Sequence, residues 1–132
     1  MAQYILGVGS NIEPRENVRR SAEILAAEHK LLGESNFITT SPVGFQDQDD
    51  FLNGAFLIES ELGYEDLNRY LKEVEKRLGR VKGPIKSGPR TIDLDIIIMD
   101  GKIMHDDYHT ADYTRIPVRE IIERFEIKVR ES

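Results

Sequence analysis

The sequence has 132 residues, of which 39% are hydrophobic, and its formal net charge is −6 at pH 7. This length favours one domain with one modest core, and the acidic charge argues against a broad nucleic-acid-binding surface, which needs many basic side chains to displace counterions from phosphates. Because the chain contains no cysteine, disulfides, thiolate nucleophiles and cysteine-ligated metals are excluded, and a bound metal would take oxygen ligands.

The sequence contains no segment that predicts membrane insertion. The apolar run at residues 4–8 is too short and too interrupted by glycine for a signal peptide, and no window approaches the length of a membrane-spanning helix. We therefore predict a cytoplasmic protein with a single domain over residues 1–132, without a membrane or nucleic-acid partner.

A strand followed by a helix is predicted at the start of the chain. Residues 4–8 have the composition of a short buried strand, and Pro14 stands where the first turn of a helix tolerates proline. Apolar residues then recur at four- and three-residue steps among charged ones. This spacing predicts an amphipathic helix that stops near Gly33.

Two further strands are predicted in the middle of the chain. Residues 36–41 and 51–61 are rich in β-branched, aromatic and other apolar residues, and both runs are too short for most helices. The loop between them, residues 42–50, is longer than most connections. Loops of this kind often close over a substrate.

A second helix, a glycine-rich loop and a last strand follow. Apolar residues from Tyr64 onward fall at three- and four-residue intervals and predict a helix that ends at Gly79. Residues 79–91 hold three glycines and two prolines, and residues 92–99 alternate between apolar and other positions as in a strand. The order βαββαβ predicts an α+β domain of the ferredoxin-like type, an antiparallel sheet with helices on one face.

The end of the second helix and the loop after it are strongly basic. They contain no acidic residue between positions 76 and 91 and six basic ones: Lys76, Arg77, Arg80, Lys82, Lys86 and Arg90. Taken alone, this segment fits a solvated run of charges at a helix end as well as it fits a functional basic site.

Asp93 and Asp95 stand two apart on the predicted last strand. Both side chains leave the same face, with Cα atoms about 6 to 7 Å apart, so their carboxylates can converge on one site. Two such carboxylates repel unless cations intervene, and Mg²⁺ usually takes one or two carboxylates plus waters and substrate phosphates. An exposed pair without a metal is also common. Arg80 and Arg90 nearby favour phosphoryl transfer, in which a protein mainly positions groups and neutralises charge.

Residues 86–97, Lys-Ser-Gly-Pro-Arg-Thr-Ile-Asp-Leu-Asp-Ile-Ile, resemble the signature block of the hydroxymethyldihydropterin pyrophosphokinases. Residues 9–11, residues 40–48 with 51–53, and residues 75–81 resemble further segments of the same family in order and approximate spacing. The resemblance is strong over residues 4–101 and weak over residues 102–132. It implies transfer of diphosphate from ATP to the hydroxymethyl group of 6-hydroxymethyl-7,8-dihydropterin, with release of AMP, in folate biosynthesis.

The resemblance also implies roles for individual residues. Asp93 and Asp95 are implied to hold two Mg²⁺ ions, which bind the phosphates of the co-substrate ATP. The residues implied to act in catalysis are Arg80, Arg90 and Asp95. Those implied to bind the nucleotide are Lys72, Glu75, Lys82 and Arg119. Those implied to bind the pterin are Thr40, Pro42, Val43, Phe51 and Asn53, with Phe51 stacked on its ring and Asn53 on its amide edge.

Some of these residues also fit a purely structural role, and others depart from the family pattern. Core packing accounts for Phe51 equally well, whereas Asn53 among apolar neighbours needs a hydrogen-bond partner if it is buried. Lys72 stands where an amide is frequent and Lys82 where an arginine is common. Lysine keeps the charge of arginine but lacks its two-pronged geometry.

The C-terminal part lacks a clean match to the family's Pro-His pair and Arg-x-Phe element. Arg119, Tyr113 and Phe125 are candidates for these roles, and the sequence argues against His105 and His109 as ATP contacts. Two other functions stay open: a catalytically weak paralogue that binds pterin or nucleotide, and a ferredoxin-like regulatory or RNA-binding module, which the acidic charge disfavours. The implied reaction also suggests a functional link to dihydropteroate synthase.

Overall fold

The computed structural model describes residues 1–44, 47–80 and 91–130. In chain order they form β1 (Ala2–Ser10), α1 (Pro14–Glu28), β2 (Lys30–Glu34), β3 (Ile38–Thr40), β4 (Phe51–Ser60), α2 (Tyr64–Arg77), β5 (Asp93–Met99), β6 (Lys102–Ile103), α3 (Asp107–Thr110) and α4 (Asp112–Arg124). Within these ranges, no helix has the length and apolar character needed to cross a membrane.

The strands form one antiparallel sheet in the order β2-β4-β1-β5-β6, and β3 also pairs with β4. Strand β1 is central. It pairs along its whole length with β4, from Ala2 opposite Ser60 to Ser10 opposite Leu52, and it pairs with β5 on its other side. The predicted mixture of helices with an antiparallel sheet is therefore confirmed.

Side chains on the two faces of the sheet form two separate cores. On one face, α1 and α2 pack over a cluster that includes Tyr4, Leu6 and Phe56. On the other face, Val118 and Ile121 of α4 pack in a second cluster. The expectation of helices on one face therefore holds for α1 and α2 but not for α4. The sequence does not predict α4, because this helix contains Pro117 and a proline in the interior of a helical pattern usually breaks or kinks the helix.

The first helix ends earlier than predicted, and an edge strand follows it. Helix α1 stops at Glu28 rather than near Gly33, and residues Lys30–Glu34 pair with β4 as β2. Leu31 packs against one core and Leu32 against the other, which is the alternation of a strand. In the sequence alone, two adjacent leucines after a helical pattern fit a continued helix equally well.

Strands β5 and β6 are joined by a two-residue turn in which both residues have positive φ. Asp100 has a φ of 47° and Gly101 a φ of 81°, as in the type I′ turns that favour Asp-Gly. The Asp100 carboxylate accepts a hydrogen bond from the backbone N–H of Gln3 at 2.8 Å. The carbonyl of Gly101 accepts one from the N–H of Arg130 at 2.7 Å. The turn therefore fixes the C-terminal segment to the sheet.

We expect Gly101→Ala to destabilise the protein by about 2 to 4 kcal/mol, because alanine disfavours positive φ and the added methyl group crowds its neighbours. The new Cβ would lie 2.2 Å from the carbonyl oxygen of Lys128. The control is Gly63→Ala, where no atom lies within 4 Å of an added Cβ and the loss should stay below about 1 kcal/mol. Urea unfolding measures both, and equal losses would contradict this account of the turn.

Candidate active site

A cleft of about 610 Å³ opens on the sheet face opposite α1 and α2. Strands β1, β4 and β5 form its floor, and α2, the segment after β3 and the C-terminal segment contribute to its walls. Eight of the residues predicted for the site line it: Thr40, Val43, Phe51, Asn53, Lys72, Arg80, Asp93 and Asp95. The sheet thus brings together residues that are up to 55 positions apart in the chain, as from Thr40 to Asp95.

Two glycines of β1 keep the floor of the cleft open. Gly9 lies between Asn53 on β4 and Asp93 on β5, and Gly7 lies opposite Asp95. A Cβ added to Gly9 would approach the side-chain oxygen of Asn53 to 2.9 Å. Side chains at these positions would fill the space between the β4 and β5 walls, so bare backbone at the centre of the sheet is what creates the cleft.

The β4 wall of the cleft combines an aromatic ring with a buried amide. Phe51 is half-buried and lines the cleft. Asn53 is only 7% exposed, and its amide nitrogen donates a hydrogen bond to the Thr40 hydroxyl at 2.5 Å. Register explains this contact, because β3 places Ile38 opposite Asn53 and Thr40 opposite Phe51. The amide of Asn53 is therefore held in a fixed orientation at the edge of the cleft.

Charged side chains from α2 and β5 form the opposite wall. The Arg80 guanidinium donates to the Asp93 carboxylate at 2.9 Å and to the Glu75 carboxylate at 2.7 Å. Burial lowers the pKa of Arg80, but the charges of Asp93 and then Glu75 outweigh burial and hold that pKa above its usual value. Arg80 is thus fixed between two carboxylates, one in the cleft and one behind it.

Glu75 is buried, with 3% of its surface exposed, and it bonds to the edge of β5. Its carboxylate accepts a hydrogen bond from the backbone N–H of Leu94 at 2.8 Å, and Lys72 lies 3.4 Å from the carbonyl oxygen of the same residue. In the part of the chain that the structure describes, β6 pairs with β5 at Ile98 and Met99 and does not reach Leu94. Two side chains of α2 therefore take up the backbone groups of Leu94, which a neighbouring strand would otherwise pair.

The surroundings of Asp95 in the cleft disfavour its ionised form. Burial, and then repulsion from Asp93, raise the pKa of Asp95 to about 6, although Lys72 and His105 act in the opposite direction. Among the described residues, no group of three or more His, Asp or Glu side chains is arranged to hold a metal ion. A cation bound by Asp93 and Asp95 would therefore draw its other ligands from water and from a substrate, as Mg²⁺ commonly does.

Besides Tyr113, which the sequence offers as a candidate aromatic, the C-terminal segment contributes residues that the sequence did not predict for the site. His105, Asp107, Tyr113 and Thr114 all line the cleft. They reach it because the turn after β5 and helix α4 carry the chain back across this sheet face, which no local pattern reveals. The sequence argues against His105 as an ATP contact, and its position in the cleft makes it a candidate again.

Among the described residues, Pro42, Arg119 and Phe125 do not line the cleft. Pro42 is buried, and Arg119 is exposed on α4; neither is among the described residues that line the cleft. Phe125 packs close to Gly33 at the edge strand β2 rather than in the cleft. Lys82 and Arg90 lie outside the described residues.

Comparison with known proteins identifies the family. A family model for 7,8-dihydro-6-hydroxymethylpterin-pyrophosphokinase matches residues 5–123, which extends beyond the part that resembles the family by its motifs. The chain is 33% identical to the 2-amino-4-hydroxy-6-hydroxymethyldihydropteridine pyrophosphokinase of Bacillus subtilis, over 92% of this chain and 78% of that protein. It is 31% identical to the protein of the same name from Haemophilus influenzae, over 92% of this chain and 82% of that protein.

A longer relative contains a similar region. The chain is 31% identical to the mitochondrial folate synthesis bifunctional protein of Pisum sativum, over 86% of this chain and 22% of that protein. The match of the family model over most of the chain, together with these identities, settles the assignment: the chain belongs to the 7,8-dihydro-6-hydroxymethylpterin-pyrophosphokinase family.

Proposed function

We propose that the cleft holds both substrates of the family's reaction, with the pterin against β4 and the ATP phosphates against β5. The chain is a pyrophosphokinase, and its reaction is the ATP-dependent transfer of diphosphate to hydroxymethyldihydropterin in folate synthesis. One observation carries the proposed arrangement: a single cleft has an aromatic and amide wall on one side and a wall of carboxylates and cations on the other.

The proposed pterin site consists of Thr40, Val43, Phe51 and Asn53, with buried Pro42 shaping the segment that carries Val43. A reduced pterin is a flat ring system with an amide edge. The Phe51 ring offers a surface for stacking. Asn53 offers an amide of complementary hydrogen-bonding character, and its contact with Thr40 orients it.

The proposed phosphate site is built around Asp93 and Asp95, which suit two Mg²⁺ ions. Both carboxylates line the cleft. Burial, and then the charge of Asp93, raise the pKa of Asp95 to about 6, so its ionised form is disfavoured in the absence of a cation. Bound Mg²⁺ would offset the charge of the phosphates and favour attack at phosphorus. Lys72 and Arg80 are proposed as phosphate contacts within the cleft, and Glu75 acts through both of them.

Three further residues are proposed as ATP contacts because of the family resemblance. Arg90 would supply a second guanidinium to the transferring group, and Lys82 and Arg119 would bind the nucleotide. The position of Arg119, exposed on α4, gives this residue the weakest support.

The chemistry is proposed as direct in-line displacement. The hydroxymethyl oxygen of the pterin forms a bond to the β-phosphorus of ATP, and the bond from that phosphorus to the oxygen bridging the α- and β-phosphates breaks, so AMP leaves. Asp95 is the proposed acceptor of the hydroxyl proton. Arg80 donates to the phosphoryl oxygens as charge develops on them, which is where a fixed donor accelerates phosphoryl transfer most.

The sheet order β2-β4-β1-β5, with α1 and α2 on one face, supports a ferredoxin-like plan for this part of the fold. We also propose a single domain that acts in the cytoplasm. The occurrence of a similar region in a bifunctional folate synthesis protein supports a functional link to another folate enzyme, for which dihydropteroate synthase is our candidate.

The direct test of the function is AMP release from ATP in the presence of Mg²⁺ and 6-hydroxymethyl-7,8-dihydropterin. We expect turnover by the unmodified protein and a loss of at least about 10² in Asp95→Asn and in Asp93→Asn, because each variant removes one charge from the metal site. Slow turnover by the unmodified protein itself would favour the weak paralogue. Turnover by both variants at the unmodified rate would contradict the metal assignment.

The substitution Asp95→Asn should stabilise the protein when neither metal nor nucleotide is bound. Because the folded pKa of Asp95, about 6, lies above its ordinary value of 3.8, the ionised carboxylate costs stability as the pH rises through this range. Without metal at pH 7.5, we expect the free energy of unfolding of Asp95→Asn to exceed that of the unmodified protein by about 1 to 2 kcal/mol. Below pH 4 the two free energies should be equal. The control is Glu61→Gln at an exposed position. A loss of stability in Asp95→Asn at pH 7.5 would refute the conclusion that burial and the charge of Asp93 destabilise the ionised Asp95.

Pterin binding should depend on the hydrogen bond between Asn53 and Thr40. We expect Asn53→Ala to lower pterin affinity about 10- to 100-fold and Thr40→Val to lower it less, since the amide then loses its orientation. Thr39→Val is the matched control, because Thr39 is exposed on the same strand. Calorimetry with the pterin alone measures all three. Unchanged affinity in Asn53→Ala would return this residue to a purely structural role.

Arg80 should affect catalysis more than ATP binding. We expect Arg80→Ala to lower kcat about 10²- to 10³-fold with a smaller change in KM for ATP, since the guanidinium acts on charge that develops during transfer. Arg77→Ala is the matched control, because Arg77 bonds to Glu28 at 2.8 Å outside the cleft. A rise in KM at unchanged kcat would make Arg80 a binding residue only.

A further inference from the structure

Lys72 is a basic side chain of the cleft whose contacts with described residues are 3.2 Å or longer. Its ammonium nitrogen lies 3.2 Å from Glu75, 3.4 Å from the carbonyl oxygen of Leu94 and 3.6 Å from Asp95. The side chain is 43% exposed and lines the cleft. A lysine with a flexible stem and three such contacts can change partners without disturbing the fold.

Arg80 is held more tightly than Lys72, and it contacts Asp93 as Lys72 contacts Asp95. Its contacts with Glu75 and Asp93 are 2.7 and 2.9 Å, and its side chain is 26% exposed. Each carboxylate proposed to bind metal therefore has a basic side chain beside it. Of the two, Lys72 is held more loosely and is more accessible from the cleft.

The charges of five side chains around Asp95 contribute to the attraction of the cleft for a free cation. When all are ionised, Lys72 and Arg80 contribute +2, while Glu75, Asp93 and Asp95 contribute −3, so the group carries −1. An uncharged residue at position 72 would leave −2. Lys72 therefore weakens the attraction of the empty cleft for a divalent cation, and it strengthens the attraction for a polyphosphate.

We propose that Lys72 takes the place of a cation beside Asp95 while the cleft is empty and transfers to the ATP phosphates when they enter. Asp95 is then released to the metal at the moment the nucleotide arrives. As a result the metal binds together with the nucleotide rather than before it. This inference rests on the proposed metal site at Asp93 and Asp95, and it gives Lys72 control of the order of binding in addition to its contact with the phosphates.

The test measures Mn²⁺ binding as a probe for Mg²⁺, by electron paramagnetic resonance of the free ion, with and without the α,β-methylene analogue of ATP. In Lys72→Gln, we expect Mn²⁺ to bind the nucleotide-free protein about 10-fold more tightly than in the unmodified protein, because one opposing charge is gone. The analogue, titrated with Mg²⁺ present, should bind about 5- to 10-fold more weakly. Lys72→Arg keeps the charge, so both affinities should stay within about 3-fold of the unmodified protein.

The outcomes separate this inference from the proposed function. Unchanged Mn²⁺ affinity in nucleotide-free Lys72→Gln overturns the role of Lys72, even if Mn²⁺ binds normally with the analogue. Asp95→Asn serves as the control for the site itself. If that variant binds Mn²⁺ with the analogue as tightly as the unmodified protein does, the metal site proposed under the function fails, and the inference about Lys72 fails with it.

Discussion

The placement of two partly buried carboxylates, Asp93 and Asp95, side by side on one strand is the constraint on which the arrangement around the cleft depends. Strand alternation puts both on one face, and burial together with their mutual repulsion raises the pKa of Asp95 to about 6. Lys72 on α2 and Arg80, three residues after the end of α2, offset part of this negative charge. Buried Glu75 contacts both basic side chains and the backbone of β5. These polar contacts therefore join the end of α2 to the edge of β5 and also shape the electrostatics of the cleft, while the apolar face of α2 packs on the core.

The two faces of the sheet serve different purposes because the central strand changes character along its length. Tyr4, Leu6 and Val8 fill the core beneath α1 and α2. On the opposite face, Ile5 packs in the core beside α4, whereas Gly7 and Gly9 leave the cleft open. One half of this face is thus packed and the other half is accessible. Helix α4 ends the packed half, which explains why Tyr113 and Thr114 at its start reach the wall of the cleft.

The parts of the molecule that could be predicted from the sequence are those set by local periodicity. The spacing of apolar residues predicts α2, and alternation predicts that Asp93 and Asp95 share a face, as both do in the cleft. Tertiary contacts decide the rest. Adjacent leucines concealed β2, and Pro117 concealed α4. The burial of Glu75 could not be seen because its partner, the N–H of Leu94, lies 19 residues further along the chain. Likewise, the cleft position of His105 depends on the turn at Asp100 and Gly101, which redirects the chain.

The contacts that Glu75 and Lys72 make with Leu94 have a further consequence for association between molecules. An uncovered strand edge offers its N–H and C=O groups to any extended segment of another chain, and proteins commonly block such edges to prevent aggregation. In the described part of the chain, β6 covers only the end of β5. The two side chains of α2 occupy the backbone groups of Leu94 instead. A further strand here would cover the same groups but would also close the approach to Asp95, whereas side chains protect the edge and leave the cleft accessible to small molecules.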